Sequence, residues 1–360
     1  MILYGSVDLH SNNSYVAITD EADRLVCHKR LPNKIEELER FFEPYKSDLS
    51  SIALESTYNG YWVMDGLIGL GYHVKLVNTW MMQEYSGLKH TDDKSDCLWL
   101  NRMNRLGVLP TGYIYPKEDR AVRDLLRKRG LLVRLRTTII HTLKHQSATW
   151  TATSIPRKEV FDFSEDEVNL LFQDPALRLS ANTFAQTIQY LTEKIKAIES
   201  FIHKKAKEDE LVRRLRLLRG IGPILSWTIR YETGDIGRFP SVKNFLSYCG
   251  LVESLRLSNF KVKSRGHMKN RNRYLRWALA EGAIASLADP FIKKYHDRLV
   301  KKKGPVKAKA ILSSKMARVA YFLMKDPGFV YDQSKLFNYE STQAMPAVSC
   351  GGGCIKRAVA

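Results

Sequence analysis

The chain has 360 residues, 44% of them hydrophobic, which is enough for two or three domains with buried cores. A formal net charge of +19 at pH 7 indicates a polyanionic partner such as nucleic acid. A signal-peptide pattern and an apolar run of transmembrane length are both lacking, which argues against a secreted or membrane protein. Five cysteines without framework spacing indicate reduced thiols and hence a cytoplasmic protein.

The charge is unevenly distributed along the chain. Residues 1–107 contain 11 Lys and Arg against 15 Asp and Glu, whereas residues 108–360 contain 46 against 23. An acidic first domain joined to a basic remainder suits a metal-dependent active site that is delivered to nucleic acid. We therefore expect a catalytic domain followed by nucleic-acid-binding segments.

Residues 1–107 predict an α/β domain. Strands are expected at 2–8, 15–19, 25–30, 51–55 and 72–77, and helices at 35–45, 61–70, 80–85 and 95–105. Three meandering strands followed by alternating helices and strands predict a mixed sheet with helices on its faces.

Acidic residues fall where such a sheet would gather them. Asp8 ends the first strand, Glu55 ends the fourth, and Asp93 and Asp96 lie on one face at the start of the last helix. Neighbouring carboxylates repel unless a cation lies between them, which indicates Mg²⁺ or Mn²⁺. The alternative interpretation is a turn residue, an exposed strand end and a solvated acidic helix start.

Residues 108–210 predict a basic and coiled-coil helical region. A long basic helix is expected over residues 117–148, followed by apolar residues with spacings of 4, 3, 4, 3 and 4: Phe184, Ile188, Leu191, Ile195, Ile198 and Ile202. This heptad seam indicates either an intermolecular coiled coil or an intramolecular helical hairpin. From it we predict self-association through residues 184–202, as a dimer or tetramer.

Residues 211–325 predict a mainly α-helical domain, and residues 326–360 a partly disordered tail. Gly220-Ile221-Gly222 joins two helices in the manner of a helix-hairpin-helix, whose exposed amides can hold a DNA phosphate. Residues 256–276 hold eight Lys and Arg and no acidic residue. The candidate nucleic-acid-binding residues are Gly220, Gly222, Lys261, Lys263, Arg265, Lys269, Arg271, Arg273 and Arg276.

Two sets of motifs resemble one known family. Ser6–His10, Leu54–Thr57 and Lys89–Asp96 look like the RuvC-like, ribonuclease-H-type domain of the DEDD transposases of bacterial insertion sequences. The motifs that resemble the C-terminal domain of the same family are Gly220–Pro223, Arg238–Pro240, Gly250–Val252 and Asn272–Arg276. The resemblance covers roughly residues 1–325, with its parts in the family's order.

The resemblance implies site residues. Asp8, Glu55, Asp93 and Asp96 correspond to the family's metal-binding residues, with Asp92 as the neighbouring alternative to Asp93. Ser258 corresponds to the nucleophilic serine, and Ser254 and Ser264 are nearby alternatives. This chain departs from the family where Asn259-Phe260 replaces the usual glycines and where Arg271 stands in place of a glycine.

The resemblance also implies a function. It predicts a DNA transposase or recombinase that cleaves and exchanges strands through a covalent phosphoserine intermediate. The expected partners are the DNA of the element ends and of the target, and, as in some members, a structured guide RNA. Its expected location is the nucleoid of a bacterial or archaeal cytoplasm. The alternatives are a hydrolytic four-way-junction endonuclease and a catalytically inactive nucleic-acid-binding protein.

Overall fold

A computed structural model describes residues 1–78, 81, 92–252, 254–258, 261–266 and 271–337. The chain divides into two compact units, Met1–Leu125 and a second that begins at Leu126. The finer division at residues 107, 210 and 325 stays a prediction. Apart from residue 81, the helix expected at residues 80–85 lies outside the described residues, and so does the chain beyond residue 337.

The first unit contains a five-stranded mixed sheet in the order β3-β2-β1-β4-β5. Its strands are β1 (Leu3–Leu9), β2 (Asn13–Thr19), β3 (Leu25–Pro32), β4 (Leu49–Glu55) and β5 (Val74–Val77). The first three pair antiparallel, while β4 runs parallel to β1 and β5 parallel to β4. The α/β class and the mixed sheet expected from the sequence are confirmed.

Helices cover both faces of this sheet. They are α1 (Ile35–Phe42), α2 (Tyr61–Gly69) and α3 (Asp93–Arg105). Leu3, Val7 and Leu9 of β1 join the core that includes α1 and α2. Because strand side chains alternate between faces, Ser6 and Asp8 point to the opposite face, where α3 packs.

The second unit is mainly helical. The helix α4 (Lys117–Thr151) begins in the first unit and continues into the second. The helices that follow are α5 (Glu165–Leu171), α6 (Pro175–Ala206), α7 (Glu210–Leu215), α8 (Pro223–Thr233), α9 (Val242–Tyr248), α10 (Arg273–Ala285), α11 (Pro290–Lys303), α12 (Pro305–Lys325) and α13 (Gln333–Phe337). Among the described residues, no helix is long and apolar enough to cross a membrane.

The heptad seam of α6 is filled within the chain. Ile188, Leu191, Ile195 and Ile202 are at most 8% exposed, and Ile188 shares a core with Ile140 and Leu143 of α4. Hydrogen bonds join α4 and α6 in antiparallel order: Arg129 to Glu199 (2.6 Å), Arg136 to Thr192 (2.9 Å) and Gln146 to Ser180 (2.7 Å). The intramolecular hairpin is therefore the alternative present within one chain, and self-association through residues 184–202 stays a prediction.

Residues 254–266, which include the predicted nucleophile Ser258, form a β-hairpin that was not predicted from the sequence. β6 (Ser254–Ser258) pairs antiparallel with β7 (Lys261–Gly266), and Ser258 lies opposite Lys261. The signal was present in the alternation Leu255-Arg256-Leu257, which is the period of a strand.

Candidate metal centre and nucleic-acid surface

Strand alternation and strand pairing bring two of the predicted carboxylates together. Val7 of β1 lies beside Leu54 of β4, so the next residues along these parallel strands, Asp8 and Glu55, are neighbours at the carboxyl ends. The two side chains are hydrogen-bonded to each other. Asp8 is only 5% exposed, which makes it the more deeply buried member of the pair.

The helix α3 supplies the other two carboxylates from its first turn. Its position on the sheet is fixed by hydrogen bonds from Ser6 Oγ to the carbonyl of Cys97 (3.0 Å) and from Asn101 Nδ2 to the carbonyl of Ala17 (3.3 Å). Cys97 is fully buried at this interface, and burial raises the pKa of its thiol to about 12. Docking by these residues places Asp93 and Asp96 over the end of β1.

The roles of Asp92 and Asp93 differ in the structure. Asp92 is the N-cap of α3, and its Oδ1 accepts a hydrogen bond from the backbone N–H of Ser95 at 2.7 Å. Asp93 instead faces the end of β1, where its Oδ1 lies 3.5 Å from His10 Nε2. Its Oδ2 accepts a hydrogen bond from Arg30 of β3. Of the two neighbouring aspartates, Asp93 therefore lies in the cluster with Asp8.

His10 joins this cluster, although the sequence analysis assigned it no role. Its Nε2 is 3.4 Å from Asp8 Oδ2, and one ligand atom from each of Asp8, His10 and Asp93 lies within 4.8 Å of the others. The carbonyl of His10 accepts hydrogen bonds from Asn33 Nδ2 (2.9 Å) and Asn59 Nδ2 (3.1 Å), which hold the β1–β2 turn in place. The signal in the sequence was its position two residues after Asp8, since alternate strand residues share a face.

The electrostatics of the cluster favour a cation. Burial raises the pKa of Asp8, and the nearby carboxylates of Asp96 and Asp93 raise it further. The hydrogen bond with Glu55 and the charge of His10 act in the opposite direction but do not cancel the effect of burial. Ionised Asp8 is thus unfavourable in the protein alone, and a bound cation would relieve that cost.

The donor set fits a divalent ion. Carboxylate oxygens are the ligands that Mg²⁺ and Mn²⁺ prefer, and a partly buried group of them needs a counter-charge. Asp8, His10 and Asp93 form the group that could hold the ion. Glu55 is paired with Asp8, and Asp96 lies close enough to raise the pKa of Asp8, so both lie beside this group. The structure thus contains a possible metal-binding group formed by acidic residues and a histidine.

The predicted basic residues are placed in different settings. Lys261, Lys263 and Arg265 lie in β7 beside the strand that ends in Ser258, whereas Lys269 lies outside the described residues. Arg273 is exposed at the start of α10. Burial lowers the pKa of Arg276, and the charge of Arg271 lowers it further, so these two arginines lie close together.

The two glycines of the predicted helix-hairpin-helix have different environments. Gly220 has φ +87°, and a Cβ there would lie 2.3 Å from the carbonyl oxygen of Gly282 and 2.6 Å from the backbone nitrogen of Ser286. It therefore allows close packing of the turn on α10. Gly222 is exposed and is the N-cap of α8, and a Cβ added there would meet no described atom within 4 Å. Only Gly222 has the open surroundings that a phosphate contact needs.

Comparisons with known proteins find similarity to transposases. The profile of the IS116/IS110/IS902 transposase family matches residues 212–297. The chain is 23% identical over 286 residues to a probable family 20 transposase of Pseudomonas aeruginosa, covering 78% of this chain and 82% of that protein. It is 25% identical over 317 residues to a putative transposase of Sinorhizobium fredii, covering 83% and 78%. It is 23% identical over 291 residues to the transposase for insertion sequence element IS1328 of Yersinia enterocolitica, covering 75% and 82%.

The aligned lengths are greater than either unit alone, so the similarity includes both units. The chain is therefore a relative of transposases. The resemblance to insertion-sequence transposases inferred from the sequence is confirmed: the chain is similar to several of them over most of its length, and its segment 212–297 matches the IS116/IS110/IS902 transposase family. That segment includes α8, the β6–β7 hairpin and α10.

Proposed function

We propose that this protein is the transposase of a mobile insertion sequence and catalyses metal-dependent cleavage and exchange of DNA strands. The observation that carries the proposal is the convergence of Asp8, Glu55, Asp93 and Asp96 at the carboxyl ends of β1 and β4. Similarity to transposases over about three quarters of the chain supports it. The strand order β3-β2-β1-β4-β5 supports a RuvC-like identity for the first unit.

The proposed reaction is phosphoryl transfer. A Mg²⁺ or Mn²⁺ ion held by Asp8, Glu55, Asp93 and Asp96 would supply charge stabilisation at the scissile phosphate. The hydroxyl oxygen of Ser258 forms a bond to phosphorus, the bond to the sugar oxygen breaks, and that oxygen takes up the proton lost by the serine. The phosphoserine link conserves the bond energy, so a second DNA hydroxyl can reverse the step and join new strands.

The basic residues support this chemistry in the proposal. Lys261, Lys263 and Arg265 lie on the strand paired with that of Ser258 and would neutralise charge on the phosphate. The net charge of +19 supports binding to DNA and to a structured guide RNA transcribed from the element. Co-purification of transcripts from the DNA that flanks the gene, followed by sequencing, tests the RNA partner.

Paired aspartate variants test the metal centre. Purified protein is incubated with Mg²⁺ and duplex DNA that carries the sequence flanking its gene. Asp93→Asn is expected to lower strand cleavage by roughly 10²–10³-fold, because it weakens binding of the ion that would stabilise charge on the phosphate. Asp92→Asn is the matched control: asparagine is also a good N-cap, so α3 and the cleavage activity should be retained. Equal loss in both variants, or full activity in Asp93→Asn, would contradict the assignment.

A nicked suicide substrate tests the nucleophile. The expected result is a protein–DNA adduct that maps to Ser258 by mass spectrometry and is lost in Ser258→Ala but kept in Ser254→Ala and Ser264→Ala. Cleavage that persists in Ser258→Ala, without an adduct and with free phosphate ends, would identify a hydrolytic junction endonuclease instead. DNA binding without cleavage by the unaltered protein would identify an inactive nucleic-acid-binding protein.

A further inference from the structure

A cavity of about 440 Å³ lies in the second unit among α4, α8 and α10. Its volume falls within the range of about 300–1,000 Å³ that is usual for small-molecule sites. Each helix contributes lining residues one turn apart, such as Gly130 and Arg134 of α4 and Arg273 and Trp277 of α10. None of the chemistry attributed to the metal centre uses this cavity.

The charge of the cavity favours an anion. Arg127 binds Glu232 through two hydrogen bonds of 2.6 and 2.8 Å, and Glu232 also accepts a hydrogen bond from Asn272. This pair is internally balanced, and Glu232 is the one carboxylate among the described lining residues. Arg134 and Arg273 are exposed and add positive charge that no lining carboxylate balances.

The same cavity presents aromatic surface. Trp277 is 41% exposed, although tryptophan is usually well buried, and Tyr274 lies one turn before it. The guanidinium of Arg127 lies 4.3 Å from the centre of the Tyr274 ring, so the two form a cation–π pair at the edge of the cavity. Aliphatic side chains of α4 and α8 line other parts of the cavity. Aromatic rings beside arginines are the surface that nucleic-acid bases stack on.

Gly130 keeps part of the cavity beside Arg134 open. It lies in the interior of the 35-residue helix α4, where glycine is a poor helix former. A Cβ at this position would meet only Arg134 Nη1, at 3.7 Å, which is an ordinary contact. Packing among the described residues therefore does not demand a glycine here, and its effect is to leave room beside Arg134.

We infer that this cavity binds one unpaired nucleotide of a nucleic acid, with the base against Trp277 and Tyr274 and the phosphate at Arg134 and Arg273. The inference rests on the proposed function for its polyanionic partner but not on the metal centre. DNA and RNA share the recognised chemistry, a planar base joined to a phosphate. The site deepens the proposed function by assigning α4 and α10 to the capture of single-stranded or extruded nucleotides.

Equilibrium binding to the free protein tests the site without catalysis. Labelled single-stranded DNA and RNA oligonucleotides, and a fully paired duplex, are titrated with protein and followed by fluorescence anisotropy. Gly130→Leu fills the cavity without changing charge, and Trp277→Ala removes a stacking surface. Each is expected to weaken binding of at least one single-stranded probe by about tenfold. Gly69→Leu is the control, because Gly69 is also helical but is exposed, has open space around it and lies outside the cavity.

Thermal unfolding separates a lost site from a lost fold. Gly130→Leu and Gly130→Ala should unfold at or above the temperature of the unaltered protein, because either residue favours a helix more than glycine does. Weaker single-strand binding together with unchanged or higher stability supports the site. Unchanged binding of both single-stranded probes by Gly130→Leu and Trp277→Ala overturns it, and so does an equal loss for the duplex. Asp93→Asn should keep this binding, so failure of the metal centre and failure of the cavity are distinguishable.

Discussion

Replacing Gly220 by alanine should destabilise the second unit, because this glycine packs backbone against backbone. At φ +87° an alanine costs about 1–2 kcal/mol, since its Cβ crowds the following carbonyl. That Cβ would also lie 2.3 Å from the carbonyl oxygen of Gly282, so α10 must shift, at a further cost of about 1–3 kcal/mol. The expected loss is therefore roughly 2–5 kcal/mol.

Thermal unfolding followed by far-ultraviolet circular dichroism measures this loss. For a unit of this size the expected decrease in Tm is roughly 4–20 °C. Gly222→Ala is the matched control, two residues away at φ −86°, where the added methyl group meets nothing within 4 Å. It should cost no more than about 1 kcal/mol, because alanine is a poorer N-cap than glycine, and this is well below the loss expected for Gly220→Ala.

Measuring nucleic-acid binding by Gly220→Ala and Gly222→Ala distinguishes a packing role of Gly220 from a role in phosphate binding. If Gly220 served mainly to admit a phosphate, Gly220→Ala would keep its Tm and lose affinity. That result would refute the packing argument. The expected pattern is a lower Tm for Gly220→Ala and, if the amides that follow Gly222 contact phosphate, weaker binding by Gly222→Ala alone.

Three further predictions follow from buried groups. Asp8→Asn should stabilise the metal-free protein and abolish its stabilisation by Mg²⁺ in thermal unfolding. Because the folded pKa of Asp8 is raised, the unaltered metal-free protein should lose stability as pH rises from the unfolded value of about 3.9 through the folded pKa, and Asp8→Asn should lack this loss. Ile195→Asp should destabilise the α4–α6 hairpin by roughly 3–5 kcal/mol in urea unfolding, whatever the oligomeric state, because Ile195 is 3% exposed within one chain. Cys97, with its pKa raised to about 12, should resist alkylation in the folded protein at neutral pH and react after unfolding, as measured by mass spectrometry.

Much of the acidic cluster proposed as a metal centre could be predicted from the sequence, because strands and helices have fixed periods. Asp8 and Glu55 at strand ends, with Asp93 and Asp96 three residues apart on a helix, define positions that the sheet order brings together. Helix and strand periods alone could not separate Asp92 from Asp93, since only the helix start decides which one caps it, and the preference for Asp93 came from the spacing in the family that the chain resembles. His10 went unassigned because its closeness to Asp93 joins residues far apart in the chain.

Other features were ambiguous for a physical reason. A heptad seam has the same spacing whether the second helix comes from the same chain or from another, so Ile188 and Ile195 could not distinguish the two cases. A glycine in a turn serves equally for the approach of a phosphate and for the approach of a helix, and Gly220 was assigned to the first. The cavity beside Trp277 is formed by three helices that are distant in sequence, so no local sequence pattern predicts it.

The alternation along β1 limits which insertions and deletions the protein can tolerate. Val7 and Leu9 pack into the core with α1 and α2, whereas Ser6 and Asp8 face α3. Adding or removing one residue within this strand would turn Asp8 toward the apolar core shared with α1 and α2 and would turn an aliphatic side chain toward α3. An in-frame change of one codon could thus leave a folded protein without a metal centre, whereas a change of two codons would restore the facing of the strand. Among naturally decayed copies of such an element, the parity of length changes in β1 should separate those that keep the acidic cluster from those that lose it.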